Sequence, residues 1–343
     1  MRYFRGSILF AVAAMGLATW VAYLSGGVEG ALRALFIVSV LGVLEVSLSF
    51  ENAVVDATVL RGMDAVWRRR FLTWGMLIGV FGMRVIFPLL IVAVLAQISP
   101  VAALSLAISE PNEYARVLQD AHISLSAFGG AFLAMVGLKH FVDAEKDVFW
   151  LSWLERPLSK MGRVPSVELG VVMVVLYGFS RQLPQADQLD FLVAGIAGLV
   201  TYIAVDGVGA LLGDGGHGAG TAVRTGLAGF LYLETLDASF SFDGVIGALA
   251  LTTNLLLIAL GLGIGAMFMR SMCIFLVDKG TLTQYRYLES GAFWAILALS
   301  SVMFMQALVH VPEVLTGLIG AGFIGVALAS SMRYNRRNPE APS

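Results

Sequence analysis

The sequence predicts an all-α polytopic membrane protein of about ten transmembrane helices, arranged as two inverted-topology repeats of five. Three observations predict it. Hydrophobic residues make up 58% of the 343-residue chain and charged residues only 13%, about half the share in a soluble domain. Such a chain cannot cover a water-facing surface with polar groups, so its solvent is lipid. Second, apolar runs near span length recur along the chain without β-barrel alternation, which leaves helices as the structure that satisfies its own backbone in hydrocarbon. Third, one short acidic motif occurs twice, five runs apart.

The first run, 8–24, follows Arg2 and Arg5 and reads as a span, because no small-residue cleavage site and soluble domain come after it. Further runs fall near 32–60, 72–98, 123–142, 167–183, 190–212, 222–251, 254–276, 290–309 and 312–332. With the N-terminus placed inside, eighteen of the twenty-two Lys and Arg residues lie on cytoplasmic segments. That bias predicts an N-in, C-in topology. Residues 1–183 then form the first repeat, 184–336 the second, and 337–343 a polar, disordered tail. Two connections are long. Residues 99–121 form an acidic outer loop, and residues near 145–160, rich in Trp and charge, predict a helix lying on the cytoplasmic interface.

The net charge of −2 excludes a nucleic-acid-binding surface. A single cysteine, Cys273, excludes a disulfide framework, a cysteine zinc site and a redox pair.

Glu45-Val-Ser-Leu-Ser-Phe-Glu-Asn lies in the second run and Asp237-Ala-Ser-Phe-Ser-Phe-Asp-Gly in the seventh. At an offset of 192, Glu45 meets Asp237, Ser49 meets Ser241 and Glu51 meets Asp243. The next span carries a second echo, since Gly79-Val-Phe-Gly-Met-Arg84 resembles Gly265-Ala-Met-Phe-Met-Arg270. Copies five spans apart run in opposite directions, an architecture of secondary transporters whose sites sit at the midplane.

Ionised carboxylates at that depth are costly. Glu45, Glu51, Glu234, Asp237 and Asp243, with Asp206 as a sixth, outnumber the nearby bases Arg84 and Arg270. The excess charge calls for protons or a bound cation. Carboxylates beside Asn52 and serine hydroxyls are hard oxygen donors, suited to Mg²⁺, Ca²⁺ or Mn²⁺. Glu45, Ser49 and Asn52 share one helix face, whereas Glu51 points about 120° away from Glu45. Either the helix unwinds at 47–52 or Glu51 serves a different partner; Gly244 makes the second copy easy to break. Arg84 has a rival reading as a snorkelling anchor, and the serines as groups bonded to their own helix.

The motifs Glu45 with Ser-Phe-Glu51-Asn52-Ala, and Glu234-Thr-Leu-Asp237-x-x-Phe-Ser-Phe-Asp243, resemble those of the TerC family of integral membrane proteins, within the LysE transporter superfamily. Glu51 and Gly244 depart from that family's Asp and Ser. The resemblance implies metal-ion efflux, chiefly of manganese, a link to tellurium (tellurite) resistance, and a role in supplying metal to exported proteins. A bacterial inner (plasma) membrane location goes with it.

The resulting expectation is a secondary exporter of a divalent cation, Mn²⁺ first and Ca²⁺ next, working by proton antiport. Glu45, Glu51, Asn52, Asp237 and Asp243 would hold the metal. Glu234, Asp206, Ser49, Ser241 and Arg84 would assist or carry protons. The partners are then the lipid bilayer, the metal ion, protons, and secretion or metalloprotein partners, with no nucleic acid and no cofactor besides the transported ion. Rival readings are a cationic amino-acid exporter and a non-transport membrane partner that metallates or assists exported proteins. An intramembrane aspartyl enzyme is disfavoured because the chain lacks Gly-x-Gly-Asp and His-Glu-x-x-His motifs; the expectation is that the protein is not an enzyme.

Overall fold

The computed structural model describes residues 3–75, 77–144, 146–211, 226–309 and 311–338, with backbone alone at 80, 209–211, 242, 243 and 313. Every regular element among them is helical. In chain order these are α1 (Arg5–Gly62), α2 (Ala65–Arg70), π-helical stretches Phe71–Gly75 and Ile78–Ile86, α3 (Phe87–Leu95), α4 (Pro100–Ser109) and α5 (Pro111–Asp120). Then come α6 (His122–Val142), α7 (Ser152–Met161), α8 (Val167–Ser180), α9 (Gln185–Leu211) and α10 (Gly226–Leu251). The chain closes with α11 (Leu255–Asp278), α12 (Thr281–Gln284), α13 (Leu288–Gln306) and α14 (Glu313–Arg337). Among the described residues six helices are long and apolar enough to cross a membrane, or seven if Phe81–Leu95 and Pro100–Ser109, bent by 103°, count as one. The protein is a multi-pass membrane protein. Residues 339–343, the bulk of the expected disordered tail, lie outside the described residues, and Arg337 ends α14.

Helix α1 is a hairpin. Its 58 residues are broken at Gly27, where φ is 61° and ψ −151°. That φ is readily available only to glycine. The Ser39 hydroxyl contacts Met15 Sδ at 3.6 Å, although 24 residues of straight helix would hold them about 36 Å apart. The chain therefore reverses at Gly27, so α1 supplies two limbs. In the second limb every residue from Glu51 to Leu60 is buried. It packs against α11, α14, α13 and α10 and forms the central post of the fold. One apolar cluster surrounds its lower half with α6, α10 and α13. A second joins the first limb to α3, α4, α5 and α11.

Two connections differ from expectation. Residues 99–121 are two helices rather than a loop. Ser99 caps α4 by accepting from Ala102 N at 3.1 Å, and Pro100 and Pro111 sit at first-turn positions, where the missing N–H costs nothing. Glu113, Arg116 and Asp120 pair along one exposed face of α5.

The expected interfacial helix near 145–160 begins only at Ser152, because Glu155 holds the preceding chain irregular. Its fully buried carboxylate accepts from Trp150 N at 3.2 Å, Leu151 N at 3.0 Å and Trp294 Nε1 at 3.0 Å. Lys146 Nζ lies 3.0 Å from the same carboxylate and 3.2 Å from His140 Nε2. Burial pushes the Lys146 ammonium below its ordinary pKa, and Glu155 opposes that shift. A helix is thus present where one was expected, and Glu155 ties it to Trp294 of α13.

The turn after the central post depends on Asp64, whose carboxylate accepts from Val66 N and Trp67 N at 2.9 and 3.0 Å. Asp64→Ala is expected to cost about 1 kcal/mol, as lost N-caps do. Asp64→Asn should cost far less, and thermal unfolding in detergent distinguishes the two.

Candidate functional site

The two copies of the acidic motif face one another. Glu45, Ser49 and Asn52 recur at i, i+4 and i+7 on the second limb of α1; Asp237, Ser241 and Gly244 recur with the same spacing on α10. These residues, with Glu51 and Arg84, line one cavity of about 20 Å³, closed by Leu299 and Met303 of α13. Both helices run unbroken through the site. Glycine at 244 does not break α10; instead the Glu45 carboxylate packs against it. Of the two alternatives for Glu51, the second holds, because its carboxylate is seated against Gly320 of α14.

Arg84 is buried, not snorkelling, with 2% of its surface exposed. It comes from the π-helical stretch Ile78–Ile86, in a glycine-rich segment where i→i+5 bonding widens the turn, as it often does at functional sites. One guanidinium nitrogen donates to Gly79 O at 2.6 Å. A second is ion-paired with Glu45, and the third, Nε, has no hydrogen-bond partner.

Glycines provide the space for the carboxylates. Glu45 presses on Gly265 of α11, and Asp237 presses on Gly79. These two glycines occupy matching positions in the second echo, so each motif's leading acid sits on the other half's glycine. The contact is reciprocal. Arg270, the counterpart of Arg84, is only half-buried, and its Nε lacks a hydrogen-bond partner.

Three buried oxygens on the cavity wall lack hydrogen-bond partners: Glu51 Oε2, Asn52 Oδ1 and Ser241 Oγ. Leaving such a group unmet costs about 1–3 kcal/mol, and these three leave acceptor capacity open on one cavity wall. Among the described residues no group of three or more His, Cys, Asp or Glu side chains closes into a metal cage. The unpartnered donors are a carboxylate, an amide and a hydroxyl.

Sequence reasoning missed Asp56. It is fully buried, with Oδ1 unpartnered and Oδ2 facing the Cys273 thiol at 3.9 Å. Asp237 and Glu234 are close enough to act on its charge. The signal was present, since Asp56 lies four residues past Asn52 and extends the Glu45–Ser49–Asn52 face. Glu234 does not line the cavity. It lies one turn before Asp237, against Gly75, with both carboxylate oxygens unpartnered. Asp206 is exposed on α9, away from the cavity. The side chain of Asp243 lies outside the described residues. Ser47 and Ser239 bond to their own helix, at Val43 O and Thr235 O.

Residues 50–338 match a family described as "Protein of unknown function (DUF475)". No curated protein and no solved structure matches the chain. The resemblance to the TerC family is thereby corrected: the matching family is a different one, and neither a TerC nor a LysE family matches. The likeness rested on two short motifs, whereas the matching family model covers residues 50–338. Tellurium resistance and metal supply to exported proteins rested on that resemblance and go with it.

Proposed function

The chain belongs to the DUF475 family, and we propose that it is a secondary transporter of a hard divalent cation, with Mn²⁺ and Ca²⁺ as the candidates, exchanging it for protons. The observation that carries the reading is the set of three unpartnered oxygens around the cavity between α1 and α10. Oxygen donors of mixed type suit a hard cation. Charge points the same way. Glu45, Glu51, Asp237 and, just beyond the cavity, Asp56 and Glu234 are buried with one paired guanidinium, Arg84. Carboxyls that surrender protons when a cation arrives couple the two fluxes. A cavity of about 20 Å³ holds an ion or one water, which argues against a cationic amino acid.

The architecture that accommodates this is ten passes in two inverted halves, N-terminus and C-terminus inside. The two limbs of α1 make the first two passes and the π-helical stretch with α3 the third. Helices α6, α8, α9, α10, α11, α13 and α14 make the rest. The reciprocal seating of Glu45 on Gly265 and Asp237 on Gly79 supports the symmetry, and the bias of positive charge supports the orientation. Export from a bacterial cytoplasm is the direction proposed.

Flux in proteoliposomes tests the reading. The purified protein should move Mn²⁺ against an imposed pH gradient, and Glu51→Gln or Asp237→Asn should slow it by at least about tenfold, the scale seen when groups supporting a metal are altered. Wild-type flux in both variants, or no divalent-cation flux in the parent, contradicts it.

A further inference from the structure

Among the buried oxygens outside the cavity that lack hydrogen-bond partners, one lies on α13 and one on α14, both on the side away from Asp56 and Glu234. They are Gln306 Oε1, on a residue 8% exposed, and Thr316 Oγ1, on a residue 2% exposed. Their positions are related. Met303 of α13 lines the cavity, and Gln306 lies one turn further along the same face. Gly320 of α14 seats the Glu51 carboxylate, and Thr316 lies one turn back along that face. Helices α13 and α14 pack against each other and are joined by the short connection 307–312. One turn on from Met303 and one turn back from Gly320 therefore lead to the same end of the molecule.

We propose that Gln306 and Thr316 line the leg of the cation path that runs from the cavity to the 307–312 connection, the outer face in the topology above. The inference rests on the cation-transport reading of the cavity. The chemistry of the two ends differs. Asp56 and Glu234 offer carboxyls toward the Gly62 end of the central post, where Phe230 of α10 meets Trp67 and Phe71. Gln306 and Thr316 offer an amide and a hydroxyl oxygen. Neutral oxygens replace water around a passing divalent cation without holding it, which is what exit from a binding site requires.

The test uses the full chain in proteoliposomes loaded with Mn²⁺, with Gln306→Leu and Thr316→Val. Replacing an unpartnered buried oxygen by an apolar group of similar shape leaves stability unchanged or higher. A thermal midpoint at or above the parent's, unchanged stabilisation by Mn²⁺, and flux slowed by at least about tenfold are the expected results. Thr316→Ser, which keeps the hydroxyl, should retain the parental rate. If both apolar variants transport at the parental rate while Glu51→Gln does not, the outer leg is overturned and the cavity stands. Absence of Mn²⁺ flux in the parent overturns both.

Discussion

Arg84→Met destabilises the protein by about 3–5 kcal/mol, the usual cost of removing one partner from a buried ion pair. The expectation follows from burial. Arg84 is 2% exposed and Glu45 5%, and their pair lines the small cavity between the helices. Without the guanidinium, Glu45 remains as an uncompensated charge and Gly79 O loses its donor. Adding Glu45→Gln should recover most of the loss, because the orphaned charge goes with it. A double-mutant cycle read by unfolding in detergent isolates the coupling. Were Arg84 an interfacial anchor, the single change would cost under about 1 kcal/mol and the two changes would simply add.

Gly320→Ala is expected to leave stability nearly unchanged and to cut Mn²⁺ flux by at least about tenfold. A Cβ at Gly320 falls on the Glu51 carboxylate. The atom displaced is the far end of a flexible side chain, so the steric cost is small. Alanine also favours helix over glycine by about 1 kcal/mol, which offsets that cost. What changes is the aim of Glu51, and a ligand displaced by an ångström no longer meets a cation with Asn52 and Ser241. Gly170→Ala is the control, since it lies inside α8 and its Cβ meets nothing within 4 Å; it should raise stability by about 1 kcal/mol and leave the flux at the parental rate.

Much of the polar centre was legible in the sequence. In an apolar chain each buried acid stands out, and the i, i+4, i+7 spacing places Glu45, Ser49 and Asn52 on one face that the structure turns toward Asp237 and Ser241. The echo containing Gly79 and Gly265 was legible as pattern but not as mechanism, because what it does, seating an acid of the other motif copy, depends on contacts between Glu45 and Gly265 and between Gly79 and Asp237, far apart in the chain. The direction of Glu51 was ambiguous for the same reason. Its partner, Gly320, is a gap rather than a group. The π-helical turns around Arg84 left no signal beyond three glycines, and Asp56 was passed over because the pattern was read only as far as Asn52. Asp206, an acid in an apolar run like the others, is exposed on α9 and does not line the cavity.

The oxygens of Glu51, Asn52 and Ser241 are the proposed seat of a divalent cation. Anomalous diffraction from crystals of the protein grown with Mn²⁺ tests it most directly. One strong peak is expected in the cavity between α1 and α10, within bonding distance of Glu51 and Asn52, and lost in crystals of Glu51→Gln. A cavity without a peak at saturating Mn²⁺, or a peak that survives Glu51→Gln unchanged, would contradict it.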